Sequence, residues 1–230
     1  MSEDRISRRA FVAAAASATL LGCGDDKADV APPPASSTRT VDPPPPPPRS
    51  GVDASAPPPS SDAATPACIE TAKNIEGPFY TPGAPARTTL ITASVTGTKL
   101  TIRGQVRSTK AACGALGGAV LDVWQADANG AYDNAGFTLR GKITADAEGR
   151  FVIETIIPGR YLDGAEYRPM HIHVKVSAPG HALLTTQLYF EGDPYNATDE
   201  YFLAPLAMKT KDEPGGEKSA SFDFVLPPAA

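Results

Sequence analysis

The 230 residues hold no apolar run long enough to cross a bilayer: the stretch 12–21 has ten residues, against the roughly 20 that a spanning helix needs. Basic charge is short too, with 21 Lys and Arg against 26 Asp and Glu and a net charge of −5. No block of like charge occurs either, so the chain offers no electrostatic footprint for DNA or RNA. No window sustains an apolar period of 3.6 residues, which excludes a fold built on amphipathic helices. Histidine and cysteine are scarce, three of each, which makes every one of their positions informative. Proline is the exception, with 24 in the chain and 12 of them within residues 31–60. That stretch has almost no large apolar side chains, and proline donates no backbone N–H, so no core can form there. What remains to fold, residues 66–230, has the length of one domain.

Residues 1–30 read as an export address. Ser7-Arg8-Arg9-Ala10-Phe11 precedes the apolar stretch, which ends in Leu20-Leu21-Gly22-Cys23. A charged start, a short apolar run and a small-residue end describe a secretory signal. The arginine pair resembles a twin-arginine signal, and the final four residues resemble a bacterial lipobox, in which Cys23 is lipidated and begins the mature chain. A short amphipathic or buried helix is the plainer alternative. Residues 31–65 then read as a disordered, semi-rigid polyproline II spacer rising about 3.1 Å per residue. It would tether the domain to a membrane in the periplasm or at the cell surface. With Cys23 lipidated, Cys68 and Cys113 are left as a pair in an oxidising compartment. Their bridge would close a loop worth about 3–4 kcal/mol; two unpaired buried thiols are the alternative.

From residue 88 onward, short runs rich in Val, Ile, Thr and aromatics recur between breakers such as Gly117-Gly118, Asn129-Gly130 and Pro179-Gly180. Strands are expected near residues 88–93, 99–106, 119–125, 138–144, 150–156, 171–177, 184–190 and 219–226. Eight strands with little helix predict an all-β domain, a β-sandwich or barrel. Residues 144–151 read as a hairpin turn between two of them.

All three histidines fall within residues 170–181. In His171-Ile172-His173 a strand period of two puts both imidazoles on one face, roughly 7 Å apart at Cβ and within reach of one metal ion. Zinc, copper and non-haem iron all fit, as do two hydrogen-bonded structural histidines. Further ligands are needed for a catalytic metal. Asp133, Asp163 and Asp193 are available in loops without a compelling spacing, and tyrosine is the remaining option.

Three segments are distinctive in combination: residues 120–132, ending in Tyr132; Pro158-Gly159-Arg160-Tyr161; and Tyr167-Arg168-Pro169-Met170-His171-Ile172-His173. Together with Glu76-Gly77-Pro78-Phe79-Tyr80, residues 177–181 and residues 185–193, they resemble the intradiol ring-cleavage dioxygenases. The resemblance implies a β-sandwich holding one Fe(III), with Tyr132 as the tyrosinate that stays bound, Tyr161 as the one displaced by substrate, and His171 and His173 as the imidazole pair. Phenolate is a hard donor suited to ferric iron, whose charge lowers the phenol pKa. The implied reaction is cleavage of a catechol by O2 to a muconate-type dicarboxylate, with Tyr161 accepting a substrate proton. Arg168 matches the family arginine near the substrate ring, Gln187 a glutamine behind the ligands, and Pro78 and Tyr80 a pocket wall. His181 reads as a loop residue, Trp124 and Phe190 as core. Two departures stand out: the family's helical N-terminal portion is replaced by the signal and tether, and only nine residues separate Tyr161 from His171. The shorter loop suggests a more open pocket that accepts a substituted catechol. A tethered module that binds aromatic diols without turnover is the rival reading, and a copper or zinc protein would leave both tyrosines without a role.

Overall fold

A computed structural model describes residues 68–110 and 112–230; the signal, Cys23 and the tether lie outside the described residues. The all-β expectation holds, with two five-stranded sheets forming a sandwich. In the first sheet the long β1 (Lys99–Ser108) pairs antiparallel with β4 (Arg150–Ile156). It also pairs parallel, in succession, with β11 (Lys218–Ser221) and β12 (Phe224–Leu226). β10 (Lys211–Asp212) extends this sheet beyond β11. The second sheet runs β3 (Arg140–Thr144), β2 (Val120–Gln125), β7 (His171–Ser177), β8 (Leu184–Phe190) and β9 (Ala207–Met208). A separate hairpin pairs β5 (Tyr161–Asp163) with β6 (Glu166–Arg168).

Strand alternation divides the second sheet into two buried faces. Leu121, Val123, Ile172, Val174 and Leu188 pack against Leu100, Ile102, Phe151 and Ile153 of the first sheet in one apolar cluster, each worth about 1.5–3 kcal/mol of burial. The opposite face carries Asp122, Trp124, His171, His173, Gln187 and Tyr189, also buried. Register aligns Trp124 with His173 and His173 with Gln187 across β2, β7 and β8. Sheet and polar site are thus built by one alternation.

Three sequence expectations are corrected. Residues 88–93 are a loop: Leu90 donates to the Glu154 carbonyl at 2.9 Å, but the Thr89 hydroxyl takes the Ile91 amide at 3.2 Å, a local bond that competes with a ladder. The run 219–226 is two strands, because Asp223 Oδ1 accepts the Gln105 amide at 2.8 Å where a backbone carbonyl would otherwise serve. Gly104 sits at this break, where a Cβ would come within 1.7 Å of the Phe222 carbonyl oxygen. Finally, the 144–151 turn forms, with the Asp146 amide donating to the Arg150 carbonyl at 2.9 Å, yet it crosses between sheets, since β3 and β4 belong to different ones. A disulfide joins Cys68 to Cys113, their Cα atoms 5.6 Å apart. Among the described residues no helix is long and apolar enough to cross a membrane.

Candidate metal centre

His171 and His173 open β7 with 2% and 1% of their surface exposed and ring centroids 4.9 Å apart. His171 Nδ1 lies 2.8 Å from the Pro169 carbonyl. A carbonyl only accepts, so this contact assigns the proton to Nδ1 and leaves the Nε2 lone pair pointing outward, 3.4 Å from the Tyr132 hydroxyl. His173 stacks on Trp124 at 4.8 Å and 7°, and both of its ring nitrogens are buried without a hydrogen-bond partner. Each orphaned buried group costs about 1–3 kcal/mol; a metal ligated by one nitrogen would remove part of that cost. Burial pushes the His171 pKa down to about 4, and His173 falls well below the usual histidine value by burial and the neighbouring imidazole. Both rings are therefore neutral, the ligating form.

Tyr132 and Tyr161 complete the cluster. Their ring centroids are 5.6 Å apart, with Tyr161 at 5.6 Å from His171 and Tyr132 at 6.3 Å from His173. Burial raises both phenol pKa values above the ordinary 10, and for Tyr132 the Tyr161 phenol adds to the effect. The Arg168 guanidinium pulls both back down without overcoming burial, so ionising them takes a further positive charge at the rings. Among the described residues no group of three or more His, Cys, Asp or Glu is arranged to hold a metal, so two neutral imidazoles with two phenols are the available donor set. It suits a hard trivalent ion such as ferric iron.

The three loop carboxylates serve elsewhere. Asp133 caps its own loop, accepting from the Ala135, Gly136 and Thr138 amides at 2.7–3.1 Å; these bonds, Thr138 foremost, pull its pKa to about 2. Asp163 is exposed. Asp193 receives Arg160 Nε at 3.0 Å and the Met170 amide at 3.0 Å, gripping the residue before Tyr161 and the residue before His171.

The Tyr132 loop is fastened from two sides. Asp127 Oδ1 accepts the Asn129 and Ala131 amides at 2.8 and 2.9 Å. Arg140, 1% exposed, donates to the carbonyls of Asp133 at 2.8 Å and Phe79 at 2.6 Å. Phe79 then stacks on Tyr132 at 4.3 Å and meets Tyr161 edge-on at 5.7 Å. The resemblance points instead to its neighbours, Pro78 and Tyr80. Pro78 is exposed, and Tyr80 turns away to pack on Trp124 at 4.8 Å and donate to Asp122 at 3.1 Å. Pro78 and Phe79 form a turn, so no strand alternation marks which side chain faces the rings. Gly77 (φ 70°) lays this segment over His173, where a Cβ would sit 3.3 Å from Cε1.

Arg168 pairs with Tyr161 across the β5–β6 hairpin. Its Nη1 lies 3.5 Å from the Tyr161 hydroxyl, while Nη2 meets Gln187 Oε1 at 3.1 Å, the Tyr189 hydroxyl at 3.2 Å and Asp199 Oδ2 at 2.9 Å. Burial opposes the charge, but Asp199 and Tyr161 outweigh it and hold the guanidinium pKa above its ordinary value. Gln187 Nε2 donates to the Ile75 carbonyl at 3.0 Å, so the glutamine links the N-terminal segment to Arg168. Tyr189 and Asp199 were not singled out from sequence. His181 pairs with Ser108 Oγ at 2.8 Å and the Pro179 carbonyl at 2.9 Å, not with the four rings. Phe190 lies in the core, whereas Trp124 lies on the site face. A cleft of about 990 Å³ along β1, β3 and β4 touches none of these residues. Smaller ones adjoin Tyr132 (about 210 Å³) and Arg168 (about 560 Å³).

Comparison with known proteins shows the family. A family model described as Dioxygenase matches residues 75–228. A chlorocatechol 1,2-dioxygenase of Pseudomonas sp. (strain P51) is 33% identical over 66% of this chain and 68% of its own length. A catechol 1,2-dioxygenase of Pseudomonas sp. (strain EST1001) is 31% identical over 69% and 61%. Among solved structures, the dioxygenase domain of a dioxygenase carbohydrate-binding protein fusion from Streptomyces sp. SirexAA-E is 45% identical, with a TM-score of 0.64 over 70% of this chain and 100% of that one. The 3-chlorocatechol 1,2-dioxygenase of Rhodococcus opacus 1CP is 29% identical, with a TM-score of 0.64 over 69% and 73%. With the family model spanning both sheets and all four candidate ligands, the chain belongs to the intradiol ring-cleavage dioxygenase family.

Proposed function

We propose that the protein opens the ring of a catechol-type diol between its two hydroxylated carbons, using O2 and a ferric ion held by Tyr132, Tyr161, His171 and His173. The observation that carries this reading is the meeting of two buried, neutral imidazoles, one with no hydrogen-bond partner at either nitrogen, and two partly buried phenols. Bound ferric iron would supply the charge that ionises the phenols and activates the diol toward O2. The chain supplies the rest. Pro169 holds the His171 tautomer. Tyr161 stands on a short hairpin, so its side chain is the one to give way to the diol and carry off a diol proton. Arg168 keeps a fixed cation beside that hydroxyl, where it stabilises negative charge developing on the substrate ring. Phe79 walls both tyrosines.

The relatives' names support a catechol substrate, and the nine-residue link from Tyr161 to His171, folded as a tight hairpin, favours acceptance of a substituted ring. Oxygen uptake by iron-loaded protein across a panel of catechols tests both points; strict preference for unsubstituted catechol contradicts the second. We also propose that the chain is an exported lipoprotein anchored through Cys23, in line with residues 7–23. Labelled palmitate should enter the protein in a bacterial host and be lost in Cys23→Ala; equal labelling of both contradicts the anchor.

A further inference from the structure

The Arg168 guanidinium is held by one corner. Nη2 meets Asp199, Gln187 and Tyr189 within 3.2 Å, Nη1 alone faces Tyr161, and Nε has no partner. Of the three anchors only Asp199 carries charge. Its side chain is 3% exposed, against 6% for that of Arg168, so the pair is shielded from competing water and salt. Asp199 is itself fixed: Oδ1 accepts the Tyr201 amide at 3.2 Å, its amide donates to the Tyr195 carbonyl at 3.1 Å, and its carbonyl receives the Phe202 amide at 3.1 Å. The Tyr201 ring lies 4.9 Å from the guanidinium carbon. A few residues earlier, Asp193 holds Arg160, so one segment grips the hairpin at both ends, just before β5 and at the last residue of β6.

We infer that Asp199 is the positioning residue for Arg168, fixing which edge of the guanidinium is turned toward Tyr161 and the reacting ring. The inference rests on the proposed reaction only for its kinetic consequence. Gln187 and Tyr189 are neutral acceptors and remain when the carboxylate is removed. Without it, Arg168 is free to turn toward the carboxylates of Asp163 and Glu200, which line the adjoining cleft.

The test uses Asp199→Asn and, to guard against a folding defect, Asp199→Glu, which keeps the charge. In metal-free protein the Arg168 Nε–H should give a resolved, slowly exchanging signal in nitrogen–proton correlation spectra; Asp199→Asn should broaden or lose it and Asp199→Glu should keep it. In iron-loaded protein, Asp199→Asn should lower kcat about 10- to 100-fold, leaving the iron–tyrosinate absorption in place. Added to Arg168→Lys, it should cost nothing further, because it acts through Arg168. An unchanged Nε–H signal with unchanged kcat, or losses that multiply in the double variant, overturns the inference. Wild-type protein inactive on every catechol overturns the reaction instead, and the metal-free spectra still decide the role of Asp199.

Discussion

Replacing Tyr161 by Phe is expected to cut oxygen uptake by the iron-loaded protein by about 100-fold or more, the usual scale of a lost proton acceptor in direct contact with substrate. The hydroxyl is the one facing Arg168, at 3.5 Å, and it sits on a three-residue strand of a two-stranded hairpin, which can let one side chain swing without disturbing either sheet. Phe keeps the ring that packs against Phe79 and Tyr132, so the fold should be unaffected and the loss should appear in kcat. The same variant should lose one of two phenolate-to-iron charge-transfer contributions, shifting and weakening the broad visible band. Stopped-flow oxygen consumption and visible spectra check both; an unchanged spectrum with an unchanged rate removes Tyr161 from the ligand set.

The largest expected effect on stability is from the disulfide. Substituting both Cys68 and Cys113 by Ser opens a 45-residue loop, for a loss of about 3–4 kcal/mol in the chain-entropy model. For a domain of this size that lowers Tm by about 6–16 °C. Reductant should produce a similar fall in the wild type and none in the variant. The iron site should survive at lower temperature. The bridge lies at the Ser108 end of β1, near His181 and β12, whereas His173 pairs near the opposite, Gln125 end of β2. A Tm change under about 2 °C shows that the crosslink carries no stability, leaving the apolar cluster between the sheets to account for it.

Of the four candidate ligands only the histidine pair was legible from local sequence and strand period; Tyr132 and Tyr161 came from the family resemblance of their segments, because a tyrosine at a turn or a strand start has no spacing that marks it as a donor. His171-Ile172-His173 needs only a period of two to place both rings on one face. Phe79, Tyr189 and Asp199 were not legible, each for a different reason. Phe79 lies in a turn with Pro78, just after Gly77 (φ 70°), where no strand period specifies which way a side chain points. Tyr189 required knowing which face of β8 meets the loops. Asp199 stands in Thr198-Asp199-Glu200-Tyr201, where nothing local marks it, and its partner Arg168 lies 31 residues earlier in the chain. In the fold, β1, β2, β4, β7 and β8 follow the apolar alternation closely. β5, β6, β9 and β10 have two or three residues each, too few for a period to register. The break between β11 and β12 depends on one aspartate side chain substituting for a carbonyl, which no hydrophobic pattern encodes.

Four side chains, Tyr132, Tyr161, His171 and His173, are proposed to make an iron-dependent intradiol cleaving centre. Its most direct test is to load the protein with ferric iron, supply catechol and O2, and measure oxygen consumed against product formed. The account predicts a burgundy protein that consumes one O2 per catechol and yields the muconate-type dicarboxylate with both oxygen atoms incorporated. A colourless iron-loaded protein, or one that binds catechol and consumes no oxygen, would contradict it.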